Sequence, residues 1–491
     1  MELIALVLLP FLAGALAPLL AGRAPGAERW VTIAALALAA GAVVLVALTP
    51  EEGRWLRLLR VEWMPALGVG LILALDGLSA ALVLVTAGLG IVATVISWDT
   101  ITERSGVFHL CLAWTCAAAI GVFIAFDLLV YFFFWEAMLI PSFLLISLFG
   151  HGERERAGMT YLIFNAAAGF GLLAGVLALA ASVDPISFDA FLLAGERPSS
   201  TAQHWMLAGF LLALLVKLPA LPVHAWLAEA HTRAPTAGSI LLAGVLLKTG
   251  SYGLFRFPPM LFPDAVATFA PFGMALGAAG AVYGGVLACG QSDAKRLVAY
   301  TSVAHMGLVL LGISAGTTLS LAGAGVEMVA HAISGSALFL LVGVMEHRYG
   351  TRDLTALGGA QASMPRFAAA FALFFAAALA MPGTANFVGE ALIVLGVFTV
   401  NWVYAVIAVS ALVISVVYAT RLIGGIVFGE PPEAQGTLSA ARAGRVEDLR
   451  PHELWPLIAL AVCTILFGVM PHLIVEAIDT AVTAALATRA P

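Results

Sequence analysis

Apolar runs of close to twenty residues follow one another along almost the whole chain, and this decides its solvent. Roughly 20 such residues carry a helix across ~30 Å of hydrocarbon. About fourteen runs of that length can be placed, near 3–22, 30–48, 71–97, 107–125, 127–149, 158–181, 205–229, 236–256, 266–289, 295–314, 321–345, 367–400, 403–428 and 454–476. Composition agrees: 62% of the residues are hydrophobic and 11% charged, with mean hydropathy +1.03. Soluble domains are near half apolar and a quarter charged. The expected fold is therefore an all-α polytopic membrane protein. The first run begins at Met1 with no cleavage-site pattern behind it, so it reads as a retained span rather than a signal peptide.

An even number of spans puts both termini on one side. Of the 23 lysines and arginines, 15 fall in one set of loops, Lys295 and Arg352 among them, and 6 in the other, with Arg54, Arg256 and Arg489. Lys217 and Lys248 lie within runs. The positive-inside rule then makes both termini periplasmic and the long 429–453 loop cytoplasmic. A net charge of −6, scattered along the chain, gives no footprint for nucleic acid.

The four cysteines, Cys111, Cys116, Cys289 and Cys463, all sit in apolar runs without a CxxC pair. They read as small packing residues, not as metal or cluster ligands. GVLLKTG at 244–250 lacks the adjacent Gly-Lys of a phosphate loop and lies inside a span.

Four charges break the apolar rule. A charge at mid-bilayer costs at least ~2.5–3.5 kcal/mol, so such a residue is functional by default. Glu136 lies nine residues past Asp127, or roughly 14 Å along a helix. Lys217 is twelve residues past Trp205, an expected interfacial anchor, so ~18 Å deep. Lys248 follows Pro235 by thirteen residues, and Glu390 lies in LAMPGTANFVGEALIVLGVF. Their depth excludes snorkelling. Two readings stand: buried ion pairs with a structural role, or carriers of a proton that a nearby charge can switch.

Prolines mark where these spans break. LLVKLPALPVHAW places Pro219 and Pro222 beside Lys217, and Pro382–Gly383 interrupts the 367–400 run. Each proline removes a backbone donor, and irregular backbone at membrane depth is tolerated only against protein or a water-filled cavity. Interrupted helices at corresponding places in two halves point to inverted repeats. Spans four to eight and nine to thirteen would be two five-helix units. The expected divisions are 1–106 for the first three helices, 107–256 and 257–428 for the repeats, and 429–491 for a cytoplasmic loop and the last helix.

Histidines lie in the same depths. His305 and His331 are inside spans ten and eleven, and Glu327, four residues before His331, shares its helix face. Either these are relays, since imidazole exchanges protons near neutral pH, or they are interhelical hydrogen bonds. His224 and His231 flank the break in span seven and are further possible relays. Asp76 falls near the outer end of span three, where interfacial water would account for it.

The stretches FFFWEAMLIPSFLLISLFGH, KLPALPVHAWLAEAHTRAPTAGSILLAGVLLKTGSYGLFRF, DAKRLVAYTSVAHMGLVLLGI, EMVAHAISGSALFL and AMPGTANFVGE together resemble the antiporter-like M subunits of bacterial respiratory complex I (NADH:quinone oxidoreductase). The counterpart in mitochondria is the fourth ND subunit. The likeness runs from about residue 60 to 430. It implies about 14 transmembrane helices with two inverted five-helix repeats and two discontinuous helices. It also implies that Glu136 modulates Lys217, that Lys248 connects the halves, and that Glu390 ends the outward half-channel. His331 falls on the family's span-eleven histidine. Glutamate at 390, where sister subunits have lysine, favours the M type, and so does the lack of a long extension past span fourteen. Ala228 replaces a common proline, and GTANF replaces a GTSGF-like run; neither touches a titratable group.

The function implied is proton translocation by a non-redox subunit of the enzyme complex, in a bacterial inner membrane. Protons would pass along Glu136, Lys217, Lys248, His331 or His305, and Glu390. No cofactor is expected in this chain; FMN, iron–sulfur clusters and quinone would belong to other subunits. The expected partners are the other membrane subunits, the L- and N-type above all, and the lipid bilayer, with no nucleic acid. Alternatives are a subunit of a multi-subunit cation/proton antiporter or of a membrane-bound hydrogenase.

Overall fold

The computed structural model describes residues 1–49, 55–429 and 446–487. Among these, twelve helices are long and apolar enough to cross a membrane. Spans one to six are Glu2–Arg23, Ala27–Leu48, Gly77–Ile96, Ser105–Ile124, Leu128–Phe149 and Arg154–Ala180. Spans eight to eleven are Thr236–Leu261, Pro263–Cys289, Ala294–Ala315 and Thr318–Tyr349, and the last two are Trp402–Phe428 and Pro451–Val469. Two more crossings are interrupted. Span seven is Ser200–Lys217 followed by Ala225–Arg233, and span twelve is Pro365–Ala378 followed by Ala385–Val400. Both breaks fall at the prolines the sequence flags. Arg54, Arg442, Arg445, Arg489 and most of the 429–453 loop lie outside the described residues.

The two halves share a mark that no composition reveals. Asp127 caps span five through Leu129 and Val130 N–H, and bridges Asp189 in the segment after span six. Asp293 caps span ten through Lys295 and Arg296 N–H, and bridges Asp353 after span eleven. Each bridged partner caps a short helical turn of its own. An odd number of crossings separates the two bridges, so they sit on opposite faces, as inversion requires.

The breaks are stable because their orphaned carbonyls find donors. In span seven, Ala220 N–H donates to Leu215 O at 2.9 Å, and the Trp226 indole to Val216 O at 3.0 Å. In span twelve, Ala380 and Met381 N–H serve Ala377 and Ala376 at 2.9 and 3.0 Å. Positive φ at Pro219, Ala380 and Gly383 turns the chain in both breaks.

Spans nine and ten are packed backbone to backbone. A Cβ at Gly284 would lie 2.6 Å from Ala304 N, and one at Gly307 would lie 2.5 Å from Ala281 N. Trp30, Trp205, Trp402 and Trp455 stand more than half exposed near span ends, as an interfacial aromatic belt does.

Three expectations need correction. The run placed at 71–97 does not begin as helix: Arg57–Met64 (β1) and Val69–Leu75 (β2) form an antiparallel hairpin. Helix starts only where Asp76 accepts from Ser79 N–H at 2.9 Å, because that cap fixes the first turn. The last run, read to 476, ends at Val469 because Pro471 cannot continue it. A helix at His472–Ala487 follows and packs against spans three, eight and eleven. Asp76 is not interfacial: it is fully buried, 2.6 Å from Arg256.

Candidate functional site

Lys217 is the last residue of the first half of span seven and is buried. Its ammonium lies 5.4 Å from the Trp135 ring and 5.6 Å from Tyr161. Both rings present π faces that attract a cation. Glu136, one residue beyond Trp135, acts on Lys217 electrostatically without closing an ion pair. Its Oε1 is buried with no partner, and it rests against Gly169, where any Cβ would collide with it. The acid and the base are thus held near each other but apart, an arrangement a small displacement can close.

Lys248 owes its position to a π-turn, Leu242–Leu246, immediately before it. Wider π-turn spacing frees a carbonyl from the α-helical ladder. The Lys248 ammonium takes up Ala243 O at 2.7 Å, five residues back. On its other side stands His331 Nδ1 at 2.6 Å. With the ammonium donating, His331 Nδ1 accepts, and the ring's own proton belongs on Nε2. Gly250 brings this helix against span seven: a Cβ there would lie 2.8 Å from Leu218 N and 3.0 Å from Lys217 Cβ.

From His331 the row continues to His305, with ring centroids 5.2 Å apart and nearly edge to face. His305 Nδ1 stands 2.9 Å from Glu390 Oε1 and 3.4 Å from Glu327 Oε1. Asn386 donates to Glu327 at 3.1 Å. Glu327, His305 and Glu390 are all buried, and one oxygen of each glutamate has no partner. Two carboxylates that share one imidazole proton are the simplest proton-sharing triad. Among the described residues, this is also where three potential metal-ligand atoms come within 4.8 Å of one another. The same atoms are engaged in the hydrogen bonds just given.

The structure therefore joins Lys248, His331, His305, Glu327 and Glu390 into one contiguous cluster. It sets Glu136 and Lys217 beside it across the Gly250 contact. Glu327, singled out for sharing a face with His331, belongs instead to the His305–Glu390 end. His224 heads the second half of span seven, edge to face with Tyr283 at 5.5 Å, and lies outside the cluster. His231 is buried, stacked on Phe339 at 4.4 Å. Sequence reasoning missed Asn386, whose GTANF context marked only the break. It also missed Lys295, counted as a loop charge but fully buried. Arg256 was counted the same way and is nearly as buried.

Interrupted spans in two inverted units, with lysines, histidines and glutamates at mid-depth, define an antiporter-like membrane subunit. A family model described as "NADH:quinone oxidoreductase/Mrp antiporter, TM" matches residues 125–415. The NADH-quinone oxidoreductase subunit M of Pseudomonas aeruginosa is 40% identical over 96% of this chain and 94% of its own. The NADH-ubiquinone oxidoreductase chain 4 of Metridium senile is 37% identical over 91% and 90%. Among solved structures, respiratory complex I from Thermus thermophilus holds a chain with TM-score 0.89 and 28% identity, covering 100% of both. An Mrp complex from Dietzia sp. matches with TM-score 0.85 and 25% identity over 99% of this chain and 52% of that one. The chain belongs to the subunit M family of NADH–quinone oxidoreductases.

Proposed function

We propose that this chain is a proton-translocating membrane-arm subunit of NADH:quinone oxidoreductase, driven by redox chemistry that other subunits carry out. The observation that carries the reading is the row from Lys248 through His331 and His305 to Glu390, hydrogen-bonded at both ends and joined in the middle by the two imidazole rings in contact. A buried row of groups that can each hold and release a proton has that use at mid-membrane. The Lys248 ammonium gives its proton to His331 Nδ1, and His331 gives its Nε2 proton toward His305. His305 delivers a proton to Glu390, or to Glu327 beside it. Lys217 would take protons from the cytoplasm at the broken span seven, with Glu136 setting how firmly they are held. Glu390, in the broken span twelve, would release them toward the periplasm.

The division at 107–256 and 257–428 assigns Lys217 and Lys248 to one repeat, and the two histidines with Glu390 to the other. We place the termini in the periplasm, and FMN, iron–sulfur clusters and quinone in partner subunits, with L- and N-type subunits as neighbours. The experiment is Lys217→Ala in native membranes, with NADH–quinone reductase rate and NADH-driven proton uptake recorded together. Loss of uptake in an assembled complex is the expected result. Undiminished uptake at normal turnover would make the lysine structural and remove the mechanism.

A further inference from the structure

Asn386 is not a member of the row, yet it is fully buried beside it. It is the second residue of Ala385–Val400, the second half of span twelve. Asparagine near a helix start commonly bonds the backbone around it. Here the side chain reaches across to span eleven instead. Its Nδ2 donates to Glu327 Oε1 at 3.1 Å, and its Oδ1 has no partner. Burying an amide with its oxygen unpaired is costly, and the contact it keeps at that cost is the one to Glu327.

That contact falls where two acids compete for one hydrogen. His305 Nδ1 carries a single hydrogen, and two carboxylate oxygens lie close to it: Glu390 Oε1 at 2.9 Å and Glu327 Oε1 at 3.4 Å. The first distance is that of an ordinary hydrogen bond, and the second lies beyond that range. The more distant oxygen, Glu327 Oε1, is the one that Asn386 occupies.

The other Glu327 oxygen is fixed from the same half-helix. A Cβ at Gly389 would lie 2.9 Å from Glu327 Oε2 and 2.9 Å from Glu327 N. Asn386, Gly389 and Glu390 stand three and four residues apart, so they share a face. One turn before Glu327, a Cβ at Gly323 would lie 2.5 Å from Ile393 N, so the two helices meet backbone to backbone. Glu327 is thus gripped at both oxygens by the half-helix that carries Glu390.

We propose that Asn386 is a positioning residue for the proton transfer: by occupying Glu327 Oε1 it reserves the His305 Nδ1 proton for Glu390. It rests on the reading of His305 and Glu390 as the end of the row. In the step, the Nδ1–H bond of the doubly protonated ring breaks and an O–H bond forms on Glu390 Oε1. The ring is left neutral with its hydrogen on Nε2, and no electrons move. Without the amide, the same imidazole is the donor left to Glu327 Oε1 among the described residues, and a buried acceptor left unpaired is costly. The ring then divides between two acids, and protons bound for Glu390 are held on Glu327.

Leucine has the branched shape of asparagine and no donor. In membranes holding the intact complex, Asn386→Leu is expected to slow NADH-driven proton uptake by roughly tenfold or more, on the order of what losing a proton-transfer group does. The pH profile of coupled turnover should change with it. The titratable groups about the pair are His305 on span ten, His331 on span eleven and Tyr418 on span thirteen. Glutamine at 327 keeps a hydrogen-bonding oxygen but does not take up a proton. Glu327→Gln added to Asn386→Leu should therefore raise uptake by roughly fivefold or more over the single variant, recovering most of that loss. Asn386→Ala, read in the same way, carries the test if the leucine variant fails to assemble. Wild-type uptake with an unchanged pH profile in the assembled single variant, or a loss that Glu327→Gln leaves in place, would overturn the proposal. Glu390→Gln is run beside them: normal uptake there would sink the reading of the row instead.

Discussion

Asp76→Asn tests how far the fold depends on a pairing across 180 residues. The carboxylate has two duties. Oδ1 accepts from Ser79 N–H at 2.9 Å and caps span three, while Oδ2 accepts from the Arg256 guanidinium at 2.6 Å. The side chains are 0% and 3% exposed. Asparagine caps a helix about as well as aspartate, so this substitution keeps the cap and removes the charge. Stranding one partner of a buried pair costs ~3–5 kcal/mol. Arg256 retains the rings of Tyr252, Phe126 and Trp55 at 5.2, 5.6 and 5.8 Å, which soften the loss. The expected cost is therefore about 3 kcal/mol, or roughly a hundredfold in the folded-to-unfolded ratio. Asp76→Asn with Arg256→Met removes the stranded charge as well, and should recover most of that, a coupling of ~2–3 kcal/mol. The assay is retention of this subunit in the purified complex as the SDS mole fraction rises, for all four proteins of the cycle. A single-variant cost under ~1 kcal/mol, or a double variant equal to the sum of the singles, would refute the pairing argument.

Gly169→Leu drives a side chain into the Glu136 carboxylate, an overpacking that costs ~1–3 kcal/mol; we expect it, and Glu136→Gln beside it, to lose proton uptake, and normal uptake in Gly169→Leu would show that Glu136 can move freely. Lys248→Met leaves Ala243 O without its donor; we expect ~1–3 kcal/mol of destabilisation together with lost uptake, read in the same membranes. Outside the membrane, the Thr355 backbone N–H and hydroxyl at 3.0 and 2.8 Å hold the Asp353 carboxyl below its usual value. The stability from that turn is present above the ordinary carboxyl range and is lost as pH falls through the lowered value. The protection factor of the Thr355 amide, its exchange rate relative to an unstructured amide at the same pH, should fall on acidification in the native protein and be small at every pH in Asp353→Ala.

The fourteen crossings, the two breaks and the four deep charges were all legible in the sequence, because each rests on a local rule: run length, proline chemistry, or distance from a span end. What was not legible depended on partners far along the chain. Asp76 looked interfacial because its position in the run was known and its contact with Arg256 was not. Lys295 looked like a loop charge because it adjoins the cap residue Asp293; only the packing of the span seven–eight joint over it takes it out of water. The β1–β2 hairpin was misread for a different reason. VGLILAL is as apolar as the helix that follows, and only the Asp76 cap tells where strand ends and helix begins. Glu327 was placed on the correct helix face with the wrong neighbour, since a face can meet two helices at different heights.

One feature of the row bears on energy conversion. Lys248, His331 and His305 each sit in the interior of their spans, at comparable distances from both ends, and Lys217 and Glu390 sit beside breaks in the middle of theirs. On the path proposed above, a proton moving among these groups would travel roughly parallel to the membrane plane and do little electrical work. On the proposed path, the whole ~2.3 kcal/mol per 100 mV would fall on two short legs, one from the cytoplasm inward and one outward to the periplasm. On that path the membrane voltage would oppose loading and release and would bear little on the lateral step.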